Sequence, residues 1–353
     1  MVAADVPSRR ARRSSRRGVL HSRGARGGGL VLAAGALGLV VVASVAFGSK
    51  PLPLGTIWDA LTAPDLQDAD HLVVRSLRVP RTLIGLGVGV ALGLAGVGMQ
   101  GITRNPLADP GIFGVEAGAA LAVVVAIHVL GVTTLSGYVW FAIAGSAIAS
   151  AIVYAVGSLG RGGATPVKLA LAGAAMAALL SSLTSAILLI DVTTLDQFRF
   201  WAVGSLAGRD ASVLEQVLPF LLAGVLLSLA AAPGLDALAL GDDVARSLGQ
   251  RVRRTRALSA AAVVVCAGAA VAAAGPIGFV GLTVPHVARA ICGPGHRWVM
   301  AWSIVLAPTL LLTADVVGRV AARPGELQVG VVTAFIGAPF FVLLVRRRKL
   351  AEL

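Results

Sequence analysis

The chain has 353 residues, 57% hydrophobic and 13% charged, with a mean hydropathy of +0.86 and a formal charge of +13. So little polar surface excludes a water-soluble globule and makes lipid the solvent for most of the chain. The basic excess does not mark a nucleic-acid binder, because the arginines stand in short runs between apolar stretches and not on one soluble face.

From the N-terminus, Arg9, Arg10, Arg12, Arg13, Arg16 and Arg17 precede the first apolar run, and Ser15 to Leu20 loosely resembles a twin-arginine export signal. That run, residues 28 to 47, exceeds the roughly 7 to 15 residues of a signal peptide's apolar region. It is therefore read as an uncleaved first helix behind a disordered, cytoplasmic Arg-rich tail at 1–27, with residues 28–353 forming a single transmembrane domain. Further apolar stretches run over 82–102, 112–131, 135–158, 167–190, 213–232, 257–275, 278–293, 299–320 and 329–345. Each approaches the length needed to cross about 30 Å of hydrocarbon at about 1.5 Å per residue, the 278–293 stretch being the shortest. The fold class expected is all-α, a polytopic membrane protein of about ten transmembrane helices.

An even number of crossings puts both termini on one side, and the positive-inside rule assigns that side to the cytoplasm. Arg104, Arg161, Lys168, Arg246, Arg251, Arg253, Arg254, Arg256, Arg297 and the 346–349 cluster all fall in segments placed inside. The outside segments are neutral or mixed; in 191–212, Asp191, Asp196 and Asp210 balance Arg199 and Arg209. Two connections are long enough to be structured. The outer one, 48–81, contains a short amphipathic piece from Trp58 to Leu61; the inner one, 234–256, reads as two short amphipathic helices broken at Gly241 and Gly249, with Asp242 a candidate N-cap.

The 43 glycines suit close helix packing in lipid, and Gly85, Gly89 and Gly93 leave one helix face bare for a neighbour. Cys266 and Cys292 lie in apolar segments and are read as packing residues. The five histidines show no metal-ligand spacing, so no metal and no cofactor are expected. Lys50, Lys168 and Lys349 are the only lysines and none sits in a phosphate-binding GK[ST] context. There is no nucleophile elbow or plausible triad either, so the chain is not read as an enzyme. Two acids, Glu116 and Asp315, fall at membrane depth, where charge is expensive. They would serve an ion-coupled secondary transporter. The plainer reading pairs Asp315 with Arg319 one turn on and sets Glu116 in a polar cavity near the cytoplasmic end. Breakers cluster at Asn105-Pro106, Asp109-Pro110-Gly111, Gly275-Pro276, Pro285 and Gly337-Ala338-Pro339, as a chain lining a cavity allows.

Several stretches resemble the permease family of iron-siderophore, haem and vitamin B12 ABC importers, which has the type II importer fold. They are RVPRTLIGLGVGVALGLAGVGMQGITRNPLADPGIFGVEAGAALA at 78–122, WAVGSL at 201–206, GDDVARSLG at 241–249, AGPIGFVGLTVPHVAR at 274–289 and GELQVGVVTAFIGAPFFVLLVRR at 325–347. The resemblance implies a permease for a ferric siderophore or a related chelate such as haem or a corrinoid. Its partners would be cytoplasmic ABC ATPase subunits, an extracytoplasmic substrate-binding protein, and a second permease subunit in a homo- or heterodimer, all set in membrane lipid. It carries ATPase coupling onto Gly241, Asp242, Asp243, Arg246, Leu248 and Gly249. Docking of the binding protein falls on Arg78, Arg81 and Arg319, and the translocation pathway or gate on Asn105, Pro106, Glu116, Gly337 and Pro339. Glu116 and Gln328 depart from the residues common in relatives at those places.

Overall fold

The computed structural model of the protein describes residues 18–65, 67–160 and 165–347. The basic residues at 9–17, Arg161, Arg348 and Lys349 lie outside the described residues. Thirteen helices are present among those described, beside a short 3-10 helix at Pro110–Phe113. In chain order they are α1 (Arg23–Ala46), α2 (Leu54–Thr62), α3 (Ala69–Thr103), α4 (Val115–Leu130), α5 (Leu135–Gly157), α6 (Pro166–Ile190) and α7 (Val192–Ala202). They continue with α8 (Ala211–Leu238), α9 (Asp242–Ser247), α10 (Val252–Ala274), α11 (Val280–Cys292), α12 (His296–Ala321) and α13 (Val329–Arg347). Seven of these are long and apolar enough to cross a bilayer: α1, α3, α5, α6, α8, α10 and α12. The shorter apolar helices α4, α11 and α13 make up the ten.

Contacts between connections test the crossing order independently of composition. With ten crossings, the turns after α3, α5, α8 and α11 lie at one end, with α9, and those after α1, α4, α6, α10 and α12 at the other, with α2. Every tie between connections respects this parity. At the α9 end, Arg104 pairs with Asp242, and Asp236 accepts from the His296 backbone N–H at 2.7 Å. At the α2 end, Ser205 N–H donates to Ala274 O at 2.7 Å, Gly330 N–H to Gly204 O at 3.0 Å, and His128 meets Asp191 at 2.8 Å. Dropping one helix from the count would place such partners a membrane thickness apart.

The bundle is built around α3, which packs against α8, α10, α11 and α12. In the most apolar stretches of α3 and α10, 78% and 72% of residues are buried, against 6% in α1 and 11% in α6. The outer helices therefore face lipid or another chain. Glycines make the core contact possible: a Cβ built at Gly89 would lie 2.7 Å from the Pro308 nitrogen and closer still to its Cα, and one at Gly93 2.7 Å from the Ala307 Cβ. Gly89→Val is accordingly expected to destabilise the bundle by about 1–3 kcal/mol through overpacking, lowering its unfolding midpoint in detergent. Gly35→Ala on α1, with open space around it, should leave the midpoint unchanged.

Two expectations need correction. The stretch from Gly18 to Gly27, expected to belong to a disordered tail, is ordered: Val19 and Leu20 N–H groups donate to Ala290 and Ile291 carbonyls at 3.0 and 2.9 Å, and Ser22 caps α1 through Ala25 N–H at 3.0 Å. The inner connection holds one short helix, not two, because α8 runs on to Leu238 and absorbs the first. Gly241, at φ 107°, is the N-cap of α9, and Gly249, at φ 81°, follows its end; both conformations are ones glycine adopts without strain. Asp242 is thus the first helical residue and not the cap.

Candidate functional site

At one end of the bundle, α9 is held by its buried residue Ala245 and by one carboxylate. Asp242 pairs with Arg104, at the end of α3, and accepts from Arg256 of α10 at 2.9 and 3.1 Å. A single side chain therefore joins α9 to the two most enclosed helices of the core. The opposite face of α9 is bare. The Asp243 side chain is 98% exposed, pairing only with Arg246 at 2.6 Å, and Val244, Leu248 and the preceding Leu240 are exposed apolar groups. An exposed pair of this kind contributes at most about 1 kcal/mol, so its place on the surface matters more than its strength. The arrangement leaves α9 with one exposed apolar and charged face while its other side is fastened to α3 and α10.

At the other end, Asp315 of α12 is fully buried between two guanidinium groups. Arg81 of α3 grips it through Nη2 at 2.7 Å and Nε at 3.1 Å, and Arg319 reaches it at 2.9 Å. Arg81 also donates to Glu326 at 2.7 Å. Burial alone would raise the Glu326 carboxyl, but the Arg81 hydrogen bond and charge, with Ser49 and Arg319, outweigh it and hold it below its ordinary value. Arg319 spends its remaining donors on Ser44 O at 3.0 Å, Phe47 O at 2.9 Å and Ser44 Oγ at 3.0 Å. Arg78 is likewise turned inward, onto Val45 O, Ala46 O and Lys50 O at 2.9, 2.6 and 2.5 Å.

The structure turns Arg78, Arg81 and Arg319, the expected docking residues, onto partners within the chain. Arg78 and Arg319 are only 4% and 1% exposed, and Arg81 is occupied by two acids. The physical reason is that the backbone leaving α1 has carbonyls with no helical donor, and the arginines of α3 and α12 satisfy them. The plainer reading of Asp315, pairing with Arg319, is what the geometry shows, with Arg81 as an additional partner.

The five pathway residues do not come together at one point. Asn105 shapes the turn after α3, its Oδ1 accepting from Leu107 N–H at 2.9 Å, and Pro106 follows it. Glu116 sits in the first turn of α4 near Gly111 and Asp109. Gly337 packs against Phe279, whose left-handed φ of 69° begins α11, and a Cβ there would collide with that ring. Pro339 belongs to a separate apolar groove of about 580 Å³ formed along α13 with Val203, Gly330, Val331, Ala334, Phe335 and Ala338. Phe335, 77% exposed, stands at this groove. The free cysteines Cys266 and Cys292 are both buried, as packing residues are.

Sequence reasoning missed three features. Arg209 balanced the local charge on paper; in the structure it is 3% exposed, its Nε donates to Ser205 O at 3.3 Å, and burial lowers its guanidinium to about 10. Glu326 enters the arginine network from a turn that sequence marks only as irregular. Gln100, within the glycine-rich face of α3, pairs with Arg289 of α11 and donates to Leu282 O at 3.2 Å. A polar amide in an otherwise apolar helix was the available signal.

A ten-span bundle of helices with apolar outer faces, a short helix with an exposed face at one end and a buried charge network at the other define a multi-pass membrane protein. The FecCD transport family matches residues 36–347, and the chain belongs to that family. It is 46% identical over 318 residues to the ferric enterobactin transport system permease protein FepD of Escherichia coli (strain K12), covering 89% of this chain and 94% of that one. It is 42% identical over 293 residues to the Fe(3+)-citrate import system permease protein YfmD of Bacillus subtilis (strain 168), covering 83% and 85%. Among solved structures, one described as an inward-facing conformation of a metal-chelate type ABC transporter superposes with a TM-score of 0.78 at 30% identity, covering 91% of this chain and 98% of that one. The protein is thus the permease subunit of an ABC importer, and ATP hydrolysis belongs to a separate subunit.

Proposed function

We propose that this permease carries a ferric siderophore across the bacterial plasma membrane, with the α9 end in the cytoplasm and the α2 end outside. The reading has the exposed face of α9 docked on an ATPase subunit, so that Gly241, Asp242, Asp243, Arg246, Leu248 and Gly249 form the coupling element. The observation that carries it is the Asp242 clasp, which would pass movement of a docked partner directly to α3 and α10. Basic residues support the orientation: Arg104, Arg246, Arg251, Arg253, Arg254, Arg256 and Arg297 all gather at the α9 end. The chain is read as one transmembrane unit with its basic N-terminal stretch also inside.

The pathway is read as completed by a second permease subunit, identical or similar, laid against the groove of α13 and the sparsely covered face of α6. Asn105, Pro106 and Glu116 would then guard the inner end and Gly337 and Pro339 the middle. Outside, a loaded binding protein is read as meeting the α2 end. Arg78, Arg81 and Arg319 would then hold the shape of that end for docking, and the exposed Arg75 is a cation that could meet its acids. The siderophore class follows from the enterobactin and citrate permeases this chain resembles.

Uptake of iron-labelled siderophore into proteoliposomes tests the proposal. Transport should require the added ATPase subunit, ATP and the binding protein together. Uptake by the permease alone under a proton or sodium gradient would establish an ion-coupled secondary transporter instead.

A further inference from the structure

A groove of about 430 Å³ lies between the α9-side ends of α8 and α10, beside the residues that follow α9, and shares Gly249 with the proposed coupling element. Its walls are Ala230, Pro233 and Gly234 of α8 and Arg254, Thr255 and Leu258 of α10, and its floor is Gly249, Gln250 and Arg251. The geometry points to this groove as a binding site for the phosphate headgroup of an anionic phospholipid.

Charge is the first argument. Arg251 and Arg254 are exposed and neither makes an ion pair among the described residues, because the nearby acids are already engaged: Asp242 with Arg104 and Arg256, Asp243 with Arg246, and Asp236 with His296. Position is the second. The groove lies where two spanning helices leave the apolar zone, at headgroup depth, and above it α8 exposes Leu222, Leu226 and Leu229 while α10 exposes Ala257 and Ala261. A phosphate held between the two guanidinium groups would thus have its acyl chains laid along an apolar strip. Shape is the third. Gly234 lets Thr255 approach closely, with Oγ1 3.1 Å from where a Cβ would stand, which closes the groove at its back. Basic pockets between spanning helices at this depth hold acidic headgroups for these reasons.

The inference rests on the multi-pass architecture and not on the direction of transport, so it stands or falls separately from the import reading. Native mass spectrometry of the full-length protein, released from mixed phosphatidylglycerol and phosphatidylcholine nanodiscs, tests it. Wild type should retain phosphatidylglycerol in preference to phosphatidylcholine. Arg251→Gln and Arg254→Gln should each weaken retention about fivefold, and together about thirtyfold. Arg253→Gln, outside the groove lining, should retain the lipid as wild type does. Equal retention of both lipids, or undiminished retention by the double variant, would overturn the assignment. So would displacement of the lipid by glycerol phosphate at matched concentration, which would indicate a soluble phosphate site. Loss of the lipid on adding the ATPase subunit would make the groove a protein seat.

Discussion

Asp315→Ala is expected to cost more stability than any other single substitution at the α2 end, about 3–5 kcal/mol, because it removes the buried carboxylate that two guanidinium groups share and leaves Arg319 without a counter-ion. Glu326 remains for Arg81, but Arg319 pairs with no other carboxylate among the described residues, and the Arg81 side chain is 11% exposed and that of Arg319 2%, so neither can turn to water without unpacking α3 from α12. The damage should spread to the end of α1, whose Ser44 and Phe47 carbonyls depend on Arg319. The measurement is the unfolding midpoint of the purified protein in detergent, with membrane yield beside it. Asp315→Asn keeps the shape but not the charge and should fall between alanine and wild type. Equal midpoints for all three proteins would mean that the network contributes nothing.

The second large effect is expected at α9, and it separates binding from transmission. Leu248→Asp puts a charge into the exposed apolar face and should weaken ATPase binding by about 2 kcal/mol, some thirtyfold, as loss of a central interface anchor does. Asp243→Arg should act in the same direction and abolish ATP-driven uptake while leaving membrane insertion intact. Asp242→Ala is different in kind. It leaves the exposed face untouched but frees α9 from Arg104 and Arg256, so the ATPase should still bind and hydrolyse ATP while uptake falls. Parallel measurement of ATPase binding, ATP turnover and uptake distinguishes the two cases. Undiminished uptake by Asp242→Ala would remove the clasp from the mechanism.

The contrast between these residues shows where reading the sequence alone succeeds. The ten crossings were legible because lipid demands long apolar segments with every backbone group satisfied within the helix. Gly241 and Gly249 were legible as breaks because their positions in a polar connection leave few other uses for them. The helix that follows Gly241 was legible too, but Asp242 reads the same whether it caps a helix or grips distant arginines. Only the fold brings it to Arg104, 138 residues away. The α2 end was less legible for a related reason. An arginine at the edge of an apolar segment reads equally as one reaching for water and as one serving buried carbonyls, and the partners that decide the matter for Arg78 and Arg319 lie in α1. Asp315 and Arg319, one helical turn apart, were the exception, since their pairing needs no knowledge of the fold. Pathway residues were the least legible, because small and apolar side chains such as Gly337 and Pro339 mark close packing and a conduit alike.

The account depends most on α9 facing the compartment that holds ATP. A cysteine placed at Val244, which is 46% exposed, would report this directly, since the native Cys266 and Cys292 are buried and contribute little background. In right-side-out membrane vesicles, a membrane-impermeant maleimide should label Val244→Cys only after the vesicles are opened. Labelling of intact vesicles to the same extent would put α9 outside and contradict an import mechanism driven from within.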